Sequence, residues 1–132
     1  MTERDWDDVW LSEGFATYFA LLFTEHDLGR DAFVDGLKRS REQVLELTEK
    51  LPTASIVHRN LDDMRRVLNG LIYQKGGWVL HMLRAEVGTA DFWAAIREYY
   101  RRYRDQNAST AELRAVFEDV SGRPLEWFFT QW

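Results

Sequence analysis

Apolar positions recur along this chain at spacings of three and four, the period of one face of an α-helix. No run alternates apolar with polar residues for more than a few positions, as a half-buried strand would. The first periodic stretch predicts a helix from roughly Asp8 to Glu25, ending near Gly29. A second begins near Asp31 with Phe33, Leu37, Val44, Leu45 and Leu47 on its apolar face. It should stop before Pro52, because the residue ahead of a proline is driven out of the helical region. Thr53 to Asn60 reads as a loop, and Asn60 as the N-cap of a short helix carrying Leu61, Met64, Val67 and Leu68. Leu71 to Val87 reads as a further helix, closed by Gly88 as a left-handed cap. Thr89 opens another, with Phe92, Ile96, Tyr99, Tyr100 and Tyr103 on one face and Arg97, Arg101, Arg102 and Arg104 on the other. Ser109 and Glu112 have the spacing of a capping box ahead of Leu113, Val116, Phe117 and Val120. Gly122 should end that helix, and Pro124 suits the first position of a last one ending in Trp132. The pattern is all-α, with about seven helices. Residues 1–132 read as a single helical domain without repeat, low-complexity stretch or visible boundary.

Composition narrows the function classes. With 45% hydrophobic and 14% aromatic residues the chain can build a core, which excludes a disordered segment. A net charge of −5 argues against a general nucleic-acid binder, which would present a basic surface. The absence of cysteine excludes disulfides, thiolate zinc sites and cysteine nucleophiles, and favours a reducing, cytoplasmic setting. The first residues are acidic and polar, unlike a signal peptide. The longest nearly apolar stretch, Phe15 to Phe23, falls far short of the ~20 residues a bilayer span needs, so no membrane span is expected.

Two features stand apart from ordinary core patterning. Glu13 lies among Trp10, Leu11, Phe15, Tyr18 and Phe19, where a carboxylate loses solvation unless it is protonated, hydrogen-bonded, paired with a cation or bound to a metal. A pairing arginine or a capped buried network would satisfy it as well as a metal. Tyr73 is followed by Gln74-Lys75-Gly76-Gly77, and each glycine inside a helix costs ~1 kcal/mol relative to alanine. That sacrifice points to close backbone approach or a bent helix start, with the tyrosine either reaching a cleft or packing at an ordinary interface. His26, His58 and His81 lack the i, i+3 or i+4 pairing of two ligands on one helix, and read as surface or supporting residues. The arginine run near Arg101 reads as a solvated helix face.

The same residues carry a family likeness. Asp5-Trp6-Asp7-Asp8-Val9-Trp10-Leu11-Ser12-Glu13-Gly14-Phe15-Ala16-Thr17-Tyr18-Phe19 resembles the segment that follows HExxH in zinc metallopeptidases of the membrane-alanyl-aminopeptidase type, which are gluzincins. Tyr73-Gln74-Lys75-Gly76, followed by Val79-Leu80-His81-Met82-Leu83-Arg84, is similar to that family's Y-x-K-G block. The stretch from Phe92 to Trp132, with Asn107-Ala108-Ser109-Thr110 and a closing Phe-Phe-x-x-Trp, follows the family as well. The resemblance covers essentially the whole chain and implies the helical subdomain of a thermolysin-like catalytic domain. It implies an enzyme that removes N-terminal residues from peptides with zinc held by two histidines and a glutamate. It assigns Glu13 as the third zinc ligand and Tyr73 as the catalytic donor to the oxyanion.

The departure from the family is equally concrete. No HExxH occurs in the 132 residues, and neither does the G-x-M-E-N loop that grips the substrate amine. The family's spacing, counted back from Glu13, places both histidine ligands and the general base upstream of Met1. This chain is therefore expected to be a piece of the catalytic domain, inactive alone and without stoichiometric zinc. The alternative is a non-catalytic helical interaction module derived from that family. A third reading, a zinc site assembled from Glu13 and histidines of another copy, has no supporting geometry. Without a neighbouring HExxH helix, an apolar strip around Trp6, Trp10, Phe15 and Phe19 is expected to be bare and to drive self-association.

Overall fold

The computed structural model describes residues 2–50, 55–57 and 70–132. Six α-helices carry most of them: α1 (Trp10–Leu28), α2 (Arg30–Lys50), α3 (Gly76–Val87), α4 (Thr89–Tyr103), α5 (Thr110–Ser121) and the short α6 (Glu126–Phe129). A 3-10 turn at Trp6–Asp8 leads into α1, and a π-helical turn at Leu71–Lys75 leads into α3. The helical class follows the periodicity. The expectations for Pro52, for His58, for the short helix capped by Asn60 and for most of the loop before it lie outside the described residues.

Local chemistry sets the helix ends. The capping box forms as expected: the Glu112 backbone N–H donates to the Ser109 hydroxyl, and the Glu112 carboxylate accepts from the Ser109 N–H at 2.7 Å. Gly122, at φ 65° and ψ 15°, is the left-handed cap that closes α5. Gly88 also has positive φ, at 88°, but its ψ of 153° is extended rather than left-handed helical, so the chain turns and α4 starts at once with Thr89. The last helix begins later than the proline signal implies, at Glu126 with Leu125 as its N-cap, and it stops at Phe129.

The core is mainly aliphatic, with a large aromatic share. Trp10, Tyr18, Phe33, Ile72, Leu80, Leu83, Phe92, Leu113, Phe117 and Leu125 are fully buried and belong to one cluster. Each such side chain contributes about 1.5–3 kcal/mol on leaving water. Helix α1 packs on α2, α3 and the π turn, while α4 packs on α3 and α5. Three residues depart from their expected environment, among them Leu45, which the pattern puts on the apolar face of α2 but which is 47% exposed. Trp10 is 0% exposed instead of lying on a bare strip, because its indole Nε1–H donates to the Thr110 hydroxyl at 2.8 Å and that hydroxyl donates to Asp8 Oδ1 at 2.5 Å. Tyr100 is 61% exposed, whereas Phe92 and Tyr99 of the same helix are buried. Its one-residue offset from Tyr99 rotates it off the buried stripe.

A short parallel pair, β1 (Thr2–Glu3) with β2 (Asn107–Ala108), ties the start of the chain to the turn before α5. Arg4 N–H donates to the Ala108 carbonyl at 2.9 Å, and the Arg4 guanidinium pairs with Glu112. The arginine run is a paired and largely exposed helix face. Hydrogen bonds from Arg101 and Arg102 hold the Glu98 carboxyl at about 2, and Arg102 also reaches Asp119 at 2.8 Å. Among the described residues, no helix is long and apolar enough to cross a membrane.

Candidate functional site

Glu13 stands in the first turn of α1, where the segment before it is pinned from several directions. The Ser12 hydroxyl donates to the Glu3 carboxylate on β1, and Trp10 and Asp8 are locked to Thr110. Immediately after Glu13, Gly14 meets the start of α3 backbone to backbone. A Cβ built on Gly14 would lie 2.9 Å from the Gly76 carbonyl carbon and 3.0 Å from its Cα. A Cβ on Gly76 would in turn lie 3.0 Å from Gly14 Cα and 3.4 Å from the Trp10 carbonyl oxygen. Gly76 thus serves close approach of two main chains, one of the two uses the sequence allowed, while Gly77 faces the Thr17 side chain.

That crossing brings Tyr73 close enough to Glu13 for the carboxylate to act on the phenol. Tyr73 lies on the π turn, three residues ahead of Gly76, with the buried Leu71 and Ile72 anchoring the turn in the core. Both Glu13 and Tyr73 are half-buried. Burial is the main influence raising the Tyr73 hydroxyl above its ordinary value, and the Glu13 charge and the hydrogen bond to Glu13 raise it further. The phenol is therefore a proton-bearing donor throughout the neutral range. Tyr73 also lines a cleft of about 400 Å³ with Gln43, Glu46, Leu47, Gly70 and Gln74.

The two described histidines are elsewhere engaged or exposed. His26 is exposed near the end of α1. His81 is half-buried, its Nδ1 lies 3.1 Å from the Tyr18 hydroxyl, and the rings of Phe33 and Trp78 flank it. Burial lowers its pKa most, with the charges of Arg84 and Arg30 adding to the effect and Glu25 opposing it. Among the described residues no three His, Asp or Glu side chains converge so as to hold a metal ion. Zinc in a protein asks for three or four ligands. The donor set at this site is one carboxylate beside one phenol, so these residues alone do not fit zinc.

One neighbour of the pair escaped the sequence reading. The Lys75 ammonium lies 5.6 Å from the centroid of the Trp132 ring. Both residues belong to the motifs quoted above, but they are far apart along the chain and nothing in the sequence couples them.

The family model described as "Peptidase family M1 domain" matches residues 1–132. Aminopeptidase M1-D of Oryza sativa subsp. japonica is 32% identical over the whole chain, and human glutamyl aminopeptidase 29% identical over 96% of it. Tricorn protease-interacting factor F2 of Thermoplasma acidophilum is 27% identical over the whole chain. The chain spans 15%, 14% and 17% of these three relatives. Among solved structures, a mutant M1 zinc metallopeptidase of Deinococcus radiodurans bound to a Tyr-Ser-Ala substrate matches with a TM-score of 0.77 and 28% identity. The match covers 98% of this chain and 28% of that one. A second structure of the Deinococcus radiodurans M1 zinc metallopeptidase matches with a TM-score of 0.68 and 27% identity. With its full length matched by the family model, the chain belongs to peptidase family M1.

Proposed function

We propose that these residues form one part of the catalytic domain of a zinc aminopeptidase, an enzyme that hydrolyses residues from the N-termini of peptides. In this reading Glu13 is a zinc ligand, and Tyr73 donates its hydroxyl hydrogen bond to the oxygen that gains charge as water adds to the scissile carbonyl. The observation that carries the reading is the meeting of Glu13 and Tyr73, far apart in sequence, at a glycine-to-glycine helix crossing beside a cleft. A phenol held protonated against a carboxylate suits a donor to a developing oxyanion. The carboxylate keeps it oriented until a more demanding acceptor arrives.

The two histidine ligands and the general base of the family are not in this sequence, which contains no HExxH. The 132 residues alone are therefore inactive in this reading, and Glu13 lacks its co-ligands. The test is to purify the chain untagged, incubate it with zinc, remove free metal and measure zinc by elemental analysis. Well below a tenth of a zinc per chain, with no release of N-terminal residues from peptides, is expected. About one zinc per chain, lost in Glu13→Ala, would show that other ligands have been recruited and would end the claim of inactivity.

The second reading is a helical interaction module without catalysis, whereas the exposed apolar surface is what the first reading expects of a chain without its neighbouring helix. Phe19, Phe23 and Tyr100 stand exposed beside a groove of about 420 Å³ formed by Phe15, Phe19, Ile96, Arg97, Tyr99 and Tyr100 between α1 and α4. Trp6 is exposed as well, but Trp10 is not part of this surface. Projecting rings and the groove that would receive them share one face, so a second copy related by two-fold symmetry can cover it. Light scattering of the 132-residue chain should then report a dimer at tens of micromolar, and Phe19→Ser with Phe23→Ser should return it to monomer. A wild-type monomer at that concentration would remove self-association from both readings.

A further inference from the structure

Tyr73 stands on a π-helical turn. Wider i→i+5 turns are rare, appear mostly as single turns within helices, and are frequent at functional sites. The Leu71–Lys75 turn is held on its inner side by Leu71 and Ile72, both fully buried. Its other end is Lys75, half out of water, with burial lowering its pKa. Among the described residues, the contact that the structure gives its ammonium is the Trp132 ring, at 5.6 Å from the centroid. A partly desolvated cation over an indole face is the strongest form of this contact. Trp132 is itself fixed. Its main-chain oxygen accepts from the Ile56 N–H at 3.0 Å and from the Ser55 hydroxyl, and its ring packs on Phe128. The Trp132 that receives Lys75 is thus held by a third segment, and Lys75 lies one residue before Gly76 seats against Gly14.

We propose that Lys75 is a positioning residue: its ammonium, seated on the Trp132 ring, fixes the π turn so that the Tyr73 hydroxyl stays beside the Glu13 carboxylate. The proposal rests on the reading of Glu13 and Tyr73 as the site pair. Without the Lys75 anchor the turn is free to relax to α-helical spacing, which changes the direction of Tyr73 relative to the Gly14–Gly76 contact. Leu71 and Ile72 would keep the turn in the core, so the chain should remain folded while the pair separates.

The experiment is nuclear Overhauser spectroscopy on the 132-residue chain, reading the cross-peak between the Tyr73 ring protons and the Glu13 side chain. The Tyr18–Phe92 ring contact, at 6.0 Å between centroids, serves as the internal reference for the fold. Lys75→Met and Trp132→Leu should each weaken the Tyr73–Glu13 cross-peak at least about threefold, with the reference unchanged. Lys75→Arg, which keeps a cation able to stack on the indole, should restore it. If Trp132→Leu fails to fold, Trp132→Phe keeps a ring with a weaker face and should give an intermediate loss. An undiminished cross-peak in folded Lys75→Met would overturn the positioning role while leaving the site pair standing. No cross-peak in the wild-type chain would overturn the pair itself, and with it both the positioning role and the reading of Glu13 and Tyr73 as the site.

Discussion

Replacing Gly14 by alanine should lower the stability of the protein by about 1–3 kcal/mol, the range for forcing extra volume into a packed contact. The magnitude follows from what the new methyl group meets. Its carbon would lie 2.9 Å from the Gly76 carbonyl carbon, 3.0 Å from Gly76 Cα and 3.2 Å from the Gly76 oxygen. All three are main-chain atoms, so no rotamer change relieves the clash and α1 must move away from α3. Alanine is intrinsically worth ~1 kcal/mol more than glycine inside a helix, so a net loss at this position reports the crossing and not helix propensity. Gly36→Ala is the matching control. It faces a side-chain methyl group of Leu21 at 2.6 Å, which can swing aside, and should be near neutral. Urea unfolding of the three proteins decides the matter. A Gly14→Ala chain as stable as the wild type would mean that the backbones do not cross as closely as the structure has them.

The sequence made some of this arrangement legible and hid the rest, for identifiable reasons. Ser109 and Glu112 announced a helix start because a capping box is a local device, complete within four residues. Gly76-Gly77 announced close backbone approach, but its partner Gly14 lies in a different helix and leaves no mark on the spacing around either block. Trp10 was legible as apolar but not as buried, because the hydroxyl that satisfies its indole N–H belongs to Thr110, at the far end of the chain. Tyr100 sits at helical spacing from Ile96 and Tyr103, so its pattern looked inward. The arc that faces the core is narrower than the list of apolar residues on α4. The π turn left no sequence signal either, since i→i+4 and i→i+5 bonding share nearly the same apolar period over five residues. The strand pair at Thr2–Glu3 and Asn107–Ala108 is too short to express any alternation. Chemistry followed the same division. Glu13 and Tyr73 were singled out one at a time by desolvation and by glycine placement, whereas their contact and the Lys75–Trp132 pairing exist only once the helices are assembled.

In an active enzyme carrying these residues, Tyr73→Phe should lower kcat by about 10²–10³-fold, the range measured when a single oxyanion donor is removed. KM should change little, because the lost hydrogen bond matters most to the oxygen that bears charge in the transition state. Phenylalanine keeps the ring that lines the cleft and leaves Glu13 in place, so bound zinc should be retained in full. Glu13→Ala should behave differently, losing both zinc and activity, since a ligand set reduced to two no longer holds the metal. The pair of variants separates the two proposed roles, metal ligand and proton donor. Steady-state rates on an aminoacyl-arylamide, together with zinc content, provide both readouts. A Tyr73→Phe enzyme within about threefold of wild-type kcat would remove Tyr73 from the chemistry, because a donor of this kind is worth about 2.7–4 kcal/mol of barrier. The Glu13 contact would then be an orienting interaction with nothing to orient, and the glycine crossing a feature of packing alone.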